Sequence, residues 1–187
     1  MLPVLETERL ILRPINKEDA FDMYEYARTT LVGPKAGWAP HNSVYETTAI
    51  ISLFIQQAQR TGLGVYAIVL KETNKMVGTI ELFNLYANFK AEMGYALNPR
   101  YWGMGIIPEA GRAVLTWGFN ELNLKRIEIN LFVDNIQSER VCQKLGLSFE
   151  GIIRNGYMRY DGLIFDEKKY SITDTDFHNL YLKDKIA

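Results

Sequence analysis

The segment most suited to chemistry runs from Asn98 to Ala110, where Arg100, Tyr101, Trp102, Gly103, Met104, Gly105 and Ile106 follow one another. Two glycines one residue apart let a backbone come close to a ligand. An apolar periodic stretch starting at Ile106 puts a helix N-terminus directly behind them. Unpaired N–H groups and a partial positive charge at that end suit a diphosphate. Pro108 sits in the first turn, where its missing N–H costs little. A dinucleotide loop needs a third glycine where Pro108 stands, and a Walker loop needs a Gly-Lys-Ser/Thr run that the chain lacks. The spacing present is Arg-x-x-Gly-x-Gly, which by itself also fits an ordinary strand-to-helix turn. His41 and His178 are far apart and no Cys-x-x-Cys exists, so no metal site is expected. Cys142 is the single cysteine and can form no internal disulfide.

Elements on both sides must hold this loop. Leu10 and Leu12 alternate with Arg9 and Arg13, which predicts a strand over residues 10–15. Asn16 offers an N-cap with Asp19 three residues on, and Ala20, Met23, Tyr24 and Ala27 follow at helical spacing. Residues 29–42 read as a loop. Ser43 and Glu46 form a capping-box pattern ahead of a helix expected to bury Ile50, Leu53, Phe54 and Ala58. Residues 65–70 and 76–83 read as a hairpin, and 92–97 as a fourth strand stopped by Asn98 and Pro99. A long helix occupies 106–122 and a strongly apolar fifth strand 127–133. A short helix over 135–145 is closed by Gly146. Residues 147–150 and 165–172 complete the strands. The order predicts one mixed α/β (α+β) domain without repeats.

Composition narrows the partners. The 187 residues suffice for one domain with a full core. A net charge of -1 gives no basic surplus for nucleic acid or an anionic membrane. Residues 1–9 lack the apolar stretch of a signal peptide, and no apolar run approaches the roughly 18 residues of a bilayer span. The expectation is a cytoplasmic protein that binds neither nucleic acid nor membrane, as a monomer or homodimer.

The Arg100-to-Gly105 pattern resembles the pyrophosphate loop of the GNAT superfamily of N-acetyltransferases. Two further segments are similar to its RimJ/RimL-like branch, the ribosomal-protein N-terminal acetyltransferase type. One is Thr7 to Arg13 with Asp19 and Ala20; the other is Asn135 and Ser138 followed by Lys144, Gly146, Glu150 and Gly151. The stretch from Arg154 through Asp161, Gly162, Asp166, Tyr170 and Ser171 also fits. The resemblance implies a single GNAT domain over 6–172 with a tail over 173–187. It implies a mostly antiparallel sheet, splayed between its fourth and fifth strands, with acetyl-CoA lying in that V. The implied reaction moves acetyl from acetyl-CoA to a primary amine (a small amine, a peptide or protein N-terminus, or a lysine) by direct attack in a ternary complex.

Carried over, Tyr95, Ala96 and Leu97 would offer backbone groups to the pantetheine arm, one N–H facing the thioester carbonyl. Arg100, Tyr101, Trp102, Gly103, Met104, Gly105 and Ile106 would hold the pyrophosphate. Asn135 would bind the pantetheine arm from the other side. Arg140 and Lys144 suit either the nucleotide end or a solvated helix face. The attacking amine must be neutral, although a free α-amino group has a pKa near 8 and lysine about 10.4, so a base is needed. Glu92, acting through water, is the candidate, at a strand start where some family members carry a glutamate. Glu81 is its competitor, with Asp161 and Asp166 behind it. Ser138 is the candidate acid for the leaving thiolate. Cys142 stands where many members have a tyrosine, and it reads equally as a small buried hydrophobe. Trp38, Phe83 and Tyr157 are the candidate acceptor-binding residues among the aromatics of the acceptor-side loops.

The chain departs from the family pattern at Ile107 and Pro108, where many members have a small residue and a threonine. Backbone donors must then carry that phosphate contact. Tyr157 stands where the alanine-specific ribosomal enzymes have a glutamate, which puts a ribosomal acceptor in question. A non-catalytic acyl-CoA-binding sensor keeps the same loop and Asn135 and is the alternative reading.

Overall fold

In chain order the strands are β1 (Leu5–Glu6), β2 (Leu10–Pro14), β3 (Val65–Leu70), β4 (Met76–Tyr86), β5 (Lys90–Leu97), β6 (Arg126–Phe132), β7 (Ser148–Met158) and β8 (Ile164–Thr173). The helices are α1 (Ala20–Ala27), α2 (Gly33–Ala36), α3 (Val44–Thr61), α4 (Ile106–Asn120), α5 (Ile136–Lys144) and α6 (Asp174–Tyr181). The computed structural model describes residues 2–181. One sheet, ordered β1-β2-β3-β4-β5-β6-β8-β7, holds all eight strands.

All neighbours are antiparallel except β5 and β6, which are parallel and joined by α4. Their pairing is short: Lys90 opposes Arg126, Ala91 opposes Ile127, Glu92 opposes Glu128, and there it ends. Residues 93–97 and the rest of β6 diverge. This is the splay expected between the fourth and fifth strands, renumbered because Leu5–Glu6 adds a strand at the start.

Each face of the sheet carries its own core. Ile80, Leu82, Met93, Val114, Leu115, Ile127, Cys142 and Phe177 fill one side, under α4, α5 and α6. Met23, Tyr26, Ile51, Val69 and Met76 fill the other, under α1 and α3. Full burial of each large apolar side chain contributes roughly 1.5–3 kcal/mol. Among the described residues no helix is long and apolar enough to cross a membrane.

Several boundaries differ from expectation. The loop over 29–42 contains α2, which Gly37 closes at φ 93. In α3, Leu53 is 62% exposed, and Thr47 and Ile51 take the fully buried stripe. Ser43 caps the Glu46 N–H at 3.1 Å, but the Glu46 carboxylate turns to the Asn42 N–H at 2.6 Å, one residue before the expected box partner. The strand expected over 147–150 continues to Met158. Within the expected tail, residues 174–181 form α6, which seals Phe177 into the core and sends the Tyr181 hydroxyl to the Leu145 carbonyl at 2.9 Å. Residues 182–187 of that tail lie outside the described residues.

A charge cluster fixes the paired end of β5 and β6. Glu128 is 3% exposed and meets Arg126 at 2.6 Å, Lys169 at 3.0 Å and Lys90 at 3.3 Å. Burial alone would raise this carboxyl; Arg126, Lys169 and Lys90 outweigh it and hold it at about 2. The unfolded value is about 4.3. The stabilisation is therefore complete above that pH and is lost as acid carries the protein down through about 2. Glu128→Gln is expected to cost about 3 kcal/mol at neutral pH, since it leaves Lys90 and Lys169 without their carboxylate and Arg126 with Glu150 alone, and to flatten the acid limb. Urea unfolding at stepped pH measures both; an unchanged acid limb would show that Glu128 does not anchor this end.

Candidate active site

The glycine turn links β5 to α4. Gly103 has φ 79 and Gly105 φ 76, values that favour glycine. A Cβ built on Gly103 would meet no protein atom within 4 Å, so the turn faces open space. Behind it, the Ile106 and Ile107 N–H groups open α4 and have no intrahelical partner. A diphosphate fits such a cradle.

The turn is braced from the N-terminus. The Arg9 guanidinium donates to the Met104 carbonyl at 3.0 Å and pairs with Glu109 at 2.6 Å. The Thr7 hydroxyl and Arg9 N–H also donate to Glu109, at 2.6 and 2.9 Å. Burial would raise the Glu109 carboxyl, but these donors prevail and hold it below its usual range. The bracing task of Thr7 and Arg9 is not legible in their spacing; an acid in the first turn of α4 is the one local signal of it.

The side chains of the loop also make contacts within the fold. Arg100 is mostly exposed and lies 2.7 Å from Glu25 of α1, a carboxylate it shares with Lys75. Tyr101 and Trp102 pack against the cores, and the Trp102 indole N–H donates to the Leu97 carbonyl at 3.0 Å. The exposed Met104 contributes its carbonyl to the brace.

The β5 backbone faces the splay selectively. The Asn98 N–H donates to the Val77 carbonyl at 2.8 Å, which sets the phase of the β4–β5 ladder. By alternation, Gly94 and Ala96 turn their N–H and C=O groups to β4. Ala96, opposite Thr79, therefore corrects one expectation: it has no backbone group to offer a ligand in the V. Tyr95 and Leu97 do turn theirs toward the splay, and of these the Leu97 carbonyl is taken by Trp102.

Across the splay, Asn135 caps α5. Its Oδ1 accepts the Ser138 N–H at 3.2 Å and its Nδ2 donates to the Lys35 carbonyl at 3.4 Å. Beside these two bonds the Asn135 amide keeps a second N–H and a second lone pair for the pantetheine arm it is expected to bind. Ser138 Oγ lies 2.5 Å from the Tyr95 hydroxyl. Cys142, one turn on, is fully buried, and burial pushes its thiol up to about 12; it belongs to the core.

Glu92 stands at the last pair before the splay. It accepts from Asn84 Nδ2 at 3.0 Å and Asn130 Nδ2 at 3.2 Å. Glu81 is one strand further away, in a cavity with Phe54, Gln57, Leu63, Val65 and Phe83, where burial raises its carboxyl. Glu167, unnoticed in the sequence, shares the Glu92 face through the Glu128 and Phe132 registers. Burial, then the charge of Glu92, raises its carboxyl. Asp161 is committed to Arg159, and Asp166 accepts the Asn155 N–H.

The aromatics fall in two places. Trp38 packs in the α2 turn with its ring centroid 5.1 Å from that of His41, and the Tyr157 hydroxyl donates to the carbonyl of the neighbouring Gly37 at 3.2 Å. Phe83 sits apart, opposite Glu92 in the β4–β5 register.

Comparison with known proteins places this geometry. The family model described as an acetyltransferase (GNAT) domain matches residues 9–148. The uncharacterized N-acetyltransferase YoaA of Bacillus subtilis (strain 168) is 33% identical over 173 residues, covering 92% of this chain and 97% of YoaA. An acetyltransferase (GNAT family) structure from Bacillus anthracis superposes with a TM-score of 0.82 at 24% identity, over 92% of this chain and 99% of that one. RimL, a ribosomal alpha-N-protein acetyltransferase solved with coenzyme A, superposes at 0.79 with 21% identity, over 91% of this chain and 98% of that one.

Proposed function

We propose, from the premise that this chain belongs to the acetyltransferase (GNAT) family and is an acetyl-CoA-dependent N-acetyltransferase of the RimJ/RimL-like branch, that acetyl passes directly to a primary amine in the cleft between β5 and β6. The observation that carries this reading is the ladder that stops at Glu92. It leaves the Tyr95 N–H and carbonyl and the Leu97 N–H open beside the Gly103–Gly105 turn.

In this reading the backbone N–H groups from Gly103 to Ile106 hold the pyrophosphate. The Leu97 N–H and the Tyr95 carbonyl line the pantetheine arm. The Tyr95 N–H donates to the carbonyl oxygen as negative charge grows on it. Glu92 lies three residues back, roughly 10 Å along the strand, and its carboxylate reaches the amine through water. Two amide donors hold its carboxylate in place, and it takes the amine proton as the C–N bond forms. The C–S bond then breaks with its electron pair on sulfur, and the Ser138 hydroxyl donates a hydrogen bond to that sulfur. Trp38 and Tyr157 on one side and Phe83 on the other wall the acceptor. The protein acts in the cytoplasm, as a monomer or homodimer.

A thermal-shift titration with acetyl-CoA, ATP and NAD is the first test. At a hundred times its dissociation constant a ligand adds about 2.7 kcal/mol to folded-state stability. A shift with acetyl-CoA alone is expected; a shift with ATP or NAD and none with acetyl-CoA would refute the assignment of the glycine turn. Turnover follows with butylamine, a short peptide with a free N-terminus and an Nα-blocked lysine. Binding without acetylation or slow hydrolysis would make the chain a sensor.

A further inference from the structure

One contact crosses the cleft where the sheet itself does not. Tyr95 belongs to β5 and Ser138 to the first turn of α5, which follows β6. Their hydroxyls lie 2.5 Å apart, and the Tyr95 hydroxyl is also 3.4 Å from the Ser138 carbonyl. The strands beneath them have already separated. The link is therefore made by side chains, on the two walls between which the thioester must lie.

We propose that the Tyr95 phenol is a positioning residue for departure of the thiol: it donates to Ser138 Oγ and so aims the Ser138 hydrogen into the cleft. This rests on the role given to Ser138 above. Either oxygen can be the donor at this distance, and chemistry chooses between them. A phenol is the more acidic hydroxyl and an aliphatic hydroxyl the better acceptor. With the phenol donating, the Ser138 hydrogen is the one left free. Linked donors also polarise each other, so a serine that accepts from Tyr95 donates more strongly.

The surroundings keep the phenol in this role. Burial, with Cys142 beside it, pushes Tyr95 well above its usual value, against the smaller opposing effect of the Ser138 bond. It stays protonated and remains a donor. The Cys142 thiol is likewise held neutral. The Asn135 cap fixes the Ser138 backbone, so the serine rotor is the remaining freedom, and Tyr95 removes it. The leaving pair settles on sulfur, Ser138 keeps its own proton, and the proton taken from the amine reaches the sulfur through solvent. No co-reactant is needed.

The test uses Tyr95→Phe, Ser138→Ala and the double variant. The kcat, the KM for acetyl-CoA and the dissociation constant of coenzyme A are measured with the fastest amine of the panel above. The thiol of bound coenzyme A is also titrated by its thiolate ultraviolet absorbance, which requires no acceptor. Tyr95→Phe is expected to lower kcat about fivefold or more, with KM and dissociation constant within about twofold. The bound thiol should titrate higher in both single variants, and the double variant should be no slower than Ser138→Ala. A phenol that only braces the cleft would instead weaken coenzyme A binding and leave kcat and the thiol titration unchanged, which overturns the proposal. Multiplying losses in the double variant would overturn it too, because Tyr95 would then act without Ser138. A wild-type rate in Ser138→Ala removes the hydrogen-bonding role of Ser138 itself; a slow Ser138→Ala beside a wild-type Tyr95→Phe removes only the proposal made here.

Discussion

A Gly103→Val variant is expected to bind acetyl-CoA at least about a hundredfold more weakly while melting within a few degrees of the parent. At φ 79 a β-branched residue is strained, by about 1–2 kcal/mol. The turn relieves that strain by rotating peptide N–H groups away from the phosphate. Each such charge-assisted bond is worth roughly 1.5–3 kcal/mol. No protein atom lies within 4 Å of the new Cβ, so the core is not disturbed and the added methyls enter the ligand's space. Calorimetry with acetyl-CoA, run beside a melting curve, separates the two effects. Wild-type affinity in a folded variant would remove this turn from the binding site.

Glu92→Gln is expected to lower kcat by about 10²–10⁴, the usual worth of a general base, with the KM for acetyl-CoA nearly unchanged. The side chain keeps its shape but loses the acceptor for the amine proton, and Asn84 and Asn130 then face an amide where they held a carboxylate. Glu81→Gln is the comparison. Its carboxyl is raised by burial, as a base's often is, but it opens into a cavity one strand from the splay. A large loss at Glu81 with little at Glu92 would exchange their roles. Kinetics across pH report the same decision, because the acid limb of kcat/KM disappears with the true base.

Elements with a strong period or a cap were legible in the sequence. α4 starts at Ile106 as expected because Gly105 and Pro108 mark its first turn, and α5 ends before Gly146, at φ 74, for a similar reason. β1 was missed because two residues carry no period. β7 was cut short because most of its side chains are exposed on both faces, which erases alternation, and because its register shifts near Gly151 and again between Ile153 and Tyr157. α6 leaves little trace in the sequence although Phe177 anchors it, since one buried aromatic makes no stripe.

The site divides along the same line. Gly103 and Gly105 announce a backbone requirement, and a backbone requirement is local. What Asn135, Arg100 and Tyr95 do with their side chains depends on partners 100, 75 and 43 residues away. No spacing rule reaches that far. Asn135 also satisfies the N-cap pattern of α5, and a cap and a ligand contact draw on the same amide.

The three-pair junction between β5 and β6 also bears on how the chain acquires its shape. On either side of it, β1–β5 and β6–β8 are built from antiparallel neighbours whose connections are mostly short. Contacts close in sequence form early, and parallel joins across a helical crossover form late. The two halves should therefore become ordered first, with their docking the last and least cooperative event. The region that docks last is also the one left with open hydrogen-bonding groups, so the groove proposed for catalysis lies at the seam between two separately ordered halves.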